Sequence, residues 1–199
     1  REPVTSIHNL HELVRRYYQD RGVAMLFGVP AEGTPNPTTR QKAHFPEPTQ
    51  GRQVIAFDID GMPLPEGVGP CSLEALEYAR SQLPVAFRRA SFVAQWSNSA
   101  GVHKPDGTYM KDGLNLHGFF YTETPVPAHL LAAYLEDYCL RNGLYTTSVD
   151  RGVVTLKMPL DLSIFRSPNQ LFYTAEPMFA EGVVCELSTE ERVVFLPRE

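Results

Sequence analysis

Three stretches of the chain carry apolar residues at the three- and four-residue spacing that is typical of amphipathic helices. They cover residues 6–21, 72–83 and 127–142. Ser6 and Ser72 stand where a side-chain oxygen caps the exposed amides of a first helical turn. The pattern therefore predicts three helices, each with one face turned to a core.

Shorter apolar runs between and after these helices are typical of strands. The runs 91–96 and 114–121 enclose a polar loop that contains Pro-Asp-Gly, which predicts a hairpin-like pair of strands. The order of elements, without an internal repeat, predicts an α+β (mixed α/β) fold. The expected strands are 24–29, 52–61, 91–96, 114–121, 144–148, 153–157, 183–187 and 193–196.

Length and composition indicate one domain that spans residues 1–199. A hydrophobic share of 43% and a charged share of 21% exclude a disordered chain. No run approaches the roughly 18 apolar residues that a membrane helix needs, and no secretory leader is recognisable. We expect a cytoplasmic protein without a membrane partner, and a chain that begins at Arg1 suggests a fragment of a longer protein.

Charge and cysteine content narrow the function classes further. The formal net charge of −5 argues against a module that holds nucleic acid by bulk positive charge. The three cysteines are far apart and form no Cys-x-x-Cys pair, so neither a disulfide framework nor a zinc knuckle is indicated. Any contact with nucleic acid is therefore expected to depend on a local site.

Two carboxylates at the end of an apolar strand are the sharpest chemical signal in the chain. Asp58 and Asp60 are two residues apart, so on a strand they share one face. Like charges beside a buried strand are costly unless a cation compensates them, and a hard divalent ion such as Mg²⁺ suits carboxylates. The alternative is a pair of solvated residues in an Asp-Gly turn before Gly61.

A histidine and the loop before it suggest contacts to phosphate. His117 shares a strand face with Asn115, although a lone strand histidine is more often a core or edge residue. In the loop, Ser99 offers a hydroxyl, and Lys104 and Lys111 offer positive charge. Such loops are more often plain turns, so this signal is weak by itself.

Two further aspartates are candidates for a third carboxylate beside Asp58 and Asp60. Asp161 follows Leu160 and is also well placed to cap a helix. Asp150 competes with it, although Asp150-Arg151-Gly152 is more typical of a turn. Arg166 suits either an ion pair with Asp161 or a bidentate grip on phosphate.

Taken in order, these motifs resemble the archaeo-eukaryotic primase superfamily, and in particular the primase-polymerases of plasmids, phages and integrated elements. That superfamily carries Asp-x-Asp/Glu, Ser-x-His and a hydrophobic residue followed by Asp. The corresponding residues here are Asp58 and Asp60, then 115–117, then 160–161, and the similarity spans about 53–179. The serine of the second motif is replaced by asparagine.

The resemblance implies a catalytic core related to the RNA-recognition fold, with a sheet flanked by helices. It implies that Asp58, Asp60 and Asp161 are catalytic and bind Mg²⁺ or Mn²⁺, and that His117 contacts the triphosphate of the incoming nucleotide. The reaction it implies is attack of a 3′ hydroxyl on the α-phosphate, with two divalent ions at the attacking and leaving oxygens.

Further nucleotide contacts are inferred from position and chemistry rather than from a fixed motif. They are Ser99, Lys104 and Arg166, together with Asn115, whose amide both donates and accepts hydrogen bonds. The expected partners are single-stranded DNA, nucleoside triphosphates and a helicase domain or protein. We expect a DNA primase or primase-polymerase that makes or extends primers.

Two other functions remain open from the sequence. The run Phe57 to Gly61 is also similar to the nucleophile loop of haloacid-dehalogenase-like phosphatases, with Asp58 as nucleophile. Those enzymes have Thr after the glycine, where Met62 stands here. The other function is a non-catalytic replication-initiator module that binds nucleic acid.

Overall fold

The protein is described from a computed structural model, which covers residues 2–35, 41 and 43–198. A four-stranded antiparallel sheet lies at its centre, in the order β1–β4–β2–β8, and two small two-stranded sheets, β3–β7 and β5–β6, accompany it. The strands are β1 (Arg52–Met62), β2 (Phe92–Trp96), β3 (Val102–His103), β4 (Leu114–Val126), β5 (Thr146–Asp150), β6 (Val153–Lys157), β7 (Val184–Cys185) and β8 (Val193–Leu196).

Five α-helices accompany these sheets in the described ranges, which makes the fold α+β as expected. The two serine caps are confirmed: the Oγ atoms of Ser6 and Ser72 each accept a backbone N–H three residues on, at 3.1 Å. No helix in these ranges is long and apolar enough to cross a membrane. The helices are α1 (Ile7–Tyr18), α2 (Leu73–Ser81), α3 (Val85–Arg88), α4 (Ala128–Arg141) and α5 (Ser163–Arg166).

One face of the central sheet is apolar and packs against α3 and α5. Phe57 of β1 and Phe120 of β4 lie on this face, and both rings contact Phe87 of α3 at centroid distances of 5.0 Å. Phe165 of α5 contacts Phe57 from the same side. This aromatic cluster holds β1 in place from the apolar face of the sheet, because large rings packed edge to face leave the strand little room to move.

The opposite face carries polar residues at one end of β1 and β4, and we call this part the polar face. The rest of that face is apolar and is covered by α1, whose His8 and His11 contact Phe195. Residues opposite one another in an antiparallel ladder share a face. Asp58 pairs with His117, Asp60 with Asn115, and Gln95 of β2 also pairs with His117. The polar face is thus defined by Asp58, Asp60, Gln95, Asn115 and His117.

The expected strand at 24–29 is wrong, because the structure has only an isolated bridge between Met25 and Phe172 there. Further along this run, the amide of Gly28 donates to the carbonyl of Pro168, and the amide of Val29 donates to the carbonyl of Pro46. Proline has no N–H to return such a bond, so no ladder can continue. The other expected strands are present, with bounds that shift by a few residues.

Candidate active site

Three carboxylates lie together on the polar face because a later segment pairs with the outer edge of β1. The amide of Asp60 donates to the carbonyl of Pro159 at 3.2 Å, and the amide of Asp161 donates to the carbonyl of Asp58 at 2.8 Å. An isolated bridge joins Ile59 to Leu160 between them. Since side chains alternate along extended backbone, this register turns Asp161 to the same side as Asp58 and Asp60.

Asp161 also forms the local structure that follows it. Its Oδ1 accepts the amide of Ser163 at 2.8 Å, and its Oδ2 accepts the hydroxyl of Ser163 at 2.9 Å. The expected capping role is not found, because Leu162 stands at the N-cap of α5 without a side-chain capping bond; Asp161 instead holds the turn before the helix. Asp150 lies on β5 opposite Val153, next to the hairpin turn and at the far end from Lys157. The backbone thus favours Asp161 over Asp150 as the third carboxylate.

The surroundings of Asp58 disfavour the ionised form of its carboxyl group. Burial raises the pKa of Asp58 to about 6, and the neighbouring carboxylates of Asp161 and Asp60 raise it as well, against a smaller lowering by Lys111. Its side chain is 32% exposed. A carboxylate that is desolvated beside like charges is stabilised by a cation placed between them.

Two lysines currently supply positive charge to this cluster. Lys111 forms an ion pair with one oxygen of Asp60, and the Nζ of Lys157 lies 3.8 Å from the other. No three acidic, histidine or cysteine side chains in residues 2–35, 41 and 43–198 are arranged around a metal position. The oxygen-only donor set of the three aspartates nevertheless fits a hard divalent ion such as Mg²⁺ or Mn²⁺.

A cleft of about 560 Å³ opens in front of the three carboxylates. Lys157 and Arg166 also line this cleft. The guanidinium of Arg166 donates to Glu136 of α4 at 2.8 Å. Two cationic side chains beside three carboxylates make a site suited to a polyanion that arrives together with metal ions.

His117 lies on the other side of Asp58, in a smaller cavity of about 180 Å³ that Asn98 and Phe172 also line. Its Nε2 is 3.7 Å from the Oδ1 of Asp58, and its ring lies 4.2 Å from the ring of Phe172 between centroids. Burial lowers the pKa of His117 to about 4. The imidazole is therefore neutral near pH 7 and acts as a hydrogen-bonding group rather than as a cation.

Asn115 uses its whole amide to support the turn beside the carboxylates. Its Oδ1 accepts the amide of Gly61 at 3.0 Å, and its Nδ2 donates to the carbonyls of Asp112 and Gly113 at 3.2 and 3.0 Å. The side chain is buried. It thus connects the end of β1 to the loop that carries Lys111, and a direct nucleotide contact through Asn115 stays a prediction.

The structure does not bring Ser99 and Lys104 into the two cavities that reach Asp58. The Oγ of Ser99 lies 3.2 Å from the Oγ of Ser97, and the amide of Lys104 donates to Thr108 in a separate turn. Nucleotide contacts by these two residues stay predictions. Asn98, which the sequence analysis did not single out, lines the cavity that His117 and Asp58 share.

Lys157 is the other residue that sequence reasoning missed. It ends β6, which folds back as a hairpin against β5 and brings its ammonium to Asp60. The available signal was its position four residues before Asp161, on the strand that leads into the Leu-Asp motif.

Replacing Lys111 by Met is expected to strengthen binding of Mn²⁺ about two- to fivefold, because the ammonium group that competes with the metal for Asp60 is removed. The size of the effect follows from the strength of exposed ion pairs, which is up to about 1 kcal/mol. Isothermal titration with Mn²⁺ measures the change. Lys104→Met is the matched control, since Lys104 lines neither cavity at Asp58. Weaker Mn²⁺ binding by Lys111→Met would contradict this description of the cluster.

Comparisons of the chain with protein-family models, with curated proteins and with solved structures find no match. The functional interpretation therefore depends on the motifs and on the geometry given above.

Proposed function

We propose that this protein is a template-directed nucleotidyl transferase, a DNA primase or primase-polymerase that makes or extends primers on single-stranded DNA. The observation that carries the proposal is the hydrogen bond from the amide of Asp161 to the carbonyl of Asp58. It joins the third carboxylate to the strand that holds the other two, in the order of the motifs that resemble the primase superfamily.

Asp58, Asp60 and Asp161 would hold the Mg²⁺ or Mn²⁺ ions. Bound there, such ions would polarise the α-phosphate and stabilise the attacking and leaving oxygens. The carboxylates contribute negative charge that is already desolvated and repelled by its neighbours, as the raised pKa of Asp58 indicates. Divalent binding is thus favoured over solvation of three separate anions.

The remaining side chains of the site bind and orient the nucleotide. When metal ions neutralise the carboxylates, Lys111 and Lys157 would leave Asp60 and bind phosphate oxygens instead. Neutral His117 would donate one hydrogen bond to the triphosphate. In the transfer, a bond forms between the 3′ oxygen of the acceptor and the α-phosphorus, the bond to the β-phosphate oxygen breaks, pyrophosphate leaves, and the hydroxyl proton passes to water.

The fold is compatible with this function. A four-stranded antiparallel sheet that packs α3 and α5 against one face is compatible with the RNA-recognition-like core that the resemblance implies. The net charge of −5 predicts weak binding of template by this chain alone, which fits a catalytic core that works beside a helicase domain or protein. A cytoplasmic location belongs to the same proposal.

The other two functions have less support. Met62, at the position where the phosphatases carry threonine, is buried at 3% exposure and offers no hydroxyl to a phosphoryl group. A binding module without catalysis has no use for a partly buried carboxylate, Asp58, whose pKa is raised further by two neighbouring carboxylates. No observation in the described ranges favours either function.

The test is incorporation of labelled nucleotides on single-stranded DNA with Mn²⁺ or Mg²⁺, with and without an annealed primer. Wild type is expected to make products, and Asp60→Ala to make about 10³-fold less. Asp137→Ala is the matched control, since Asp137 lies exposed on α4 in an ion pair with Arg141. Equal synthesis by wild type and Asp60→Ala would overturn the assignment of the site.

A further inference from the structure

Tyr173 is a large aromatic residue that lines the cavity of Asp58 and His117 and is nevertheless 59% exposed. Within the described ranges, no hydrogen bond and no contact with another ring engages its side chain. A ring that lines a cavity and is mostly exposed lies at the open side of that cavity. Tyr173 therefore presents an unused aromatic surface next to the carboxylates.

The backbone on both sides of Tyr173 is fixed by hydrogen bonds. Phe172 exchanges two backbone bonds with Met25, at 2.9 and 3.0 Å, and the carbonyl of Thr174 accepts from the Nε2 of Gln95 at 2.7 Å. Phe172 and Thr174 are buried, whereas Tyr173 between them is exposed, as alternation along extended backbone requires. The fold therefore holds this ring outward at a defined place.

The segment that carries Tyr173 is also connected to the third carboxylate. The Oγ of Ser163 lies 2.9 Å from the Oδ2 of Asp161 and 2.9 Å from the Oε1 of Gln170. Gln170 lines the same cavity as Tyr173. The aromatic surface thus has a defined position relative to the proposed metal site.

A nucleotide bound at this site needs a surface for its base. With the triphosphate between the carboxylates and His117, the base lies one sugar away from the α-phosphate, and so beside the two cavities that Asp58 lines. The larger of these cavities has no aromatic lining residue, and the smaller has Phe172, which is buried, and Tyr173. Among the described residues, Tyr173 is therefore the exposed ring that lines either cavity.

We propose that Tyr173 is the surface on which the base of the incoming nucleoside triphosphate stacks. The inference rests on the function proposed above and adds a residue for the base, which that proposal leaves without a contact. Every base has a π face, so stacking on an aromatic side chain tolerates all four bases. The hydrogen-bonding edge of the base stays free to pair with the template.

Another cavity, of about 240 Å³, reaches Asp60 but neither Asp58 nor His117. Tyr145 lines it and is 41% exposed. A base in that cavity would lie away from the proposed position of the triphosphate. Tyr145 is therefore the matched comparison for Tyr173, since both are exposed tyrosines that line cavities next to the carboxylates.

The first test is equilibrium binding of 2-aminopurine nucleoside triphosphate to the full chain with Mg²⁺ and without template, so that no transfer occurs. The fluorescence of 2-aminopurine falls when this base stacks on an aromatic ring. Wild type is expected to quench it, and Tyr173→Leu to lose most of the quenching and to raise Kd about tenfold. Tyr173→Phe, which keeps the ring, and Tyr145→Leu are expected to stay within about twofold of wild type.

Two results of this titration would overturn the proposal. A loss in Tyr173→Phe as large as that in Tyr173→Leu would show that the hydroxyl acts rather than the ring. A loss in Tyr145→Leu with none in Tyr173→Leu would place the base in the cavity at Asp60.

Inorganic tripolyphosphate separates the contribution of the base from that of the phosphates. It carries the charge without a base, so Tyr173→Leu is expected to bind it as tightly as wild type in isothermal titration with Mg²⁺. Equal weakening of tripolyphosphate and nucleotide would indicate a loss of structure or of charge rather than of stacking, and would contradict the proposal.

A template base is the other source of a nucleobase at Tyr173. Binding of a single-stranded oligonucleotide that contains 2-aminopurine is expected to be unchanged in Tyr173→Leu, and a loss confined to the oligonucleotide overturns the assignment. If wild type stacks the nucleotide but transfers none, the proposed function fails and the stacking surface stands. If wild type transfers nucleotide and Tyr173→Leu keeps its Kd, the function stands and this inference fails.

Discussion

Asp58→Asn is expected to lose nucleotidyl transfer by about 10³-fold and at the same time to make the protein more stable at pH 8. The pKa of Asp58 is about 6 in the folded protein, above its usual value of 3.8. The folded state therefore binds this proton more tightly than the unfolded state, and the free energy of unfolding falls as pH rises from about 4 to about 6. Asparagine carries no charge and avoids this loss.

The expected gain for Asp58→Asn is about 1–3 kcal/mol at pH 8 and close to zero at pH 4, from the size of the pKa difference. Thermal denaturation at both pH values, in buffer without divalent ions, measures it. Asp60→Asn is the matched control, because it gives up ion pairs with Lys111 and Lys157. It should lose transfer equally without gaining stability. A gain for Asp58→Asn that is equal at pH 4 and pH 8 would refute the electrostatic cause.

Arg192→Leu is expected to destabilise the fold by about 2–4 kcal/mol. Arg192 is 1% exposed, and its guanidinium donates to the carbonyls of Ser97 at 3.0 Å and Ala100 at 3.2 Å. Leucine leaves both carbonyls buried without these donors. The turn they belong to carries Asn98 into the cavity of His117, so nucleotide binding should weaken as well.

Urea denaturation measures the effect of Arg192→Leu on the free energy of unfolding. Arg141→Leu is the control, because Arg141 is exposed on α4 in an i,i+4 ion pair with Asp137 and should change stability by less than about 0.5 kcal/mol. Equal losses in the two variants would show that the buried contacts of Arg192 contribute nothing specific.

The parts of the site that depend on local pattern could be predicted from the sequence. Period-two alternation places Asp58 and Asp60 on one face of β1, and the same rule places Asn115 and His117 on one face of β4. The helices with serine caps follow from their spacing, which is a local property as well. Four-residue helices such as α3 and α5 are too short to show a period, and they were not predicted.

The parts that depend on contacts between distant segments could not be predicted. The choice between Asp150 and Asp161 depends on which segment pairs with the outer edge of β1, about a hundred residues earlier. Lys157 reaches Asp60 only because a hairpin folds back. The run at 24–29 has strand composition, yet its neighbours in space are prolines. Long-range pairing decides each of these cases, and composition carries no information about it.

The most direct measurement is a crystal structure of the full chain with Mn²⁺ and a non-hydrolysable nucleoside triphosphate, with the metal located by anomalous scattering. We expect Mn²⁺ bound by oxygens of Asp58, Asp60 and Asp161, with the triphosphate between the metal and His117. Mn²⁺ and nucleotide bound together at any other place on the protein would contradict the account of these three aspartates as the catalytic site.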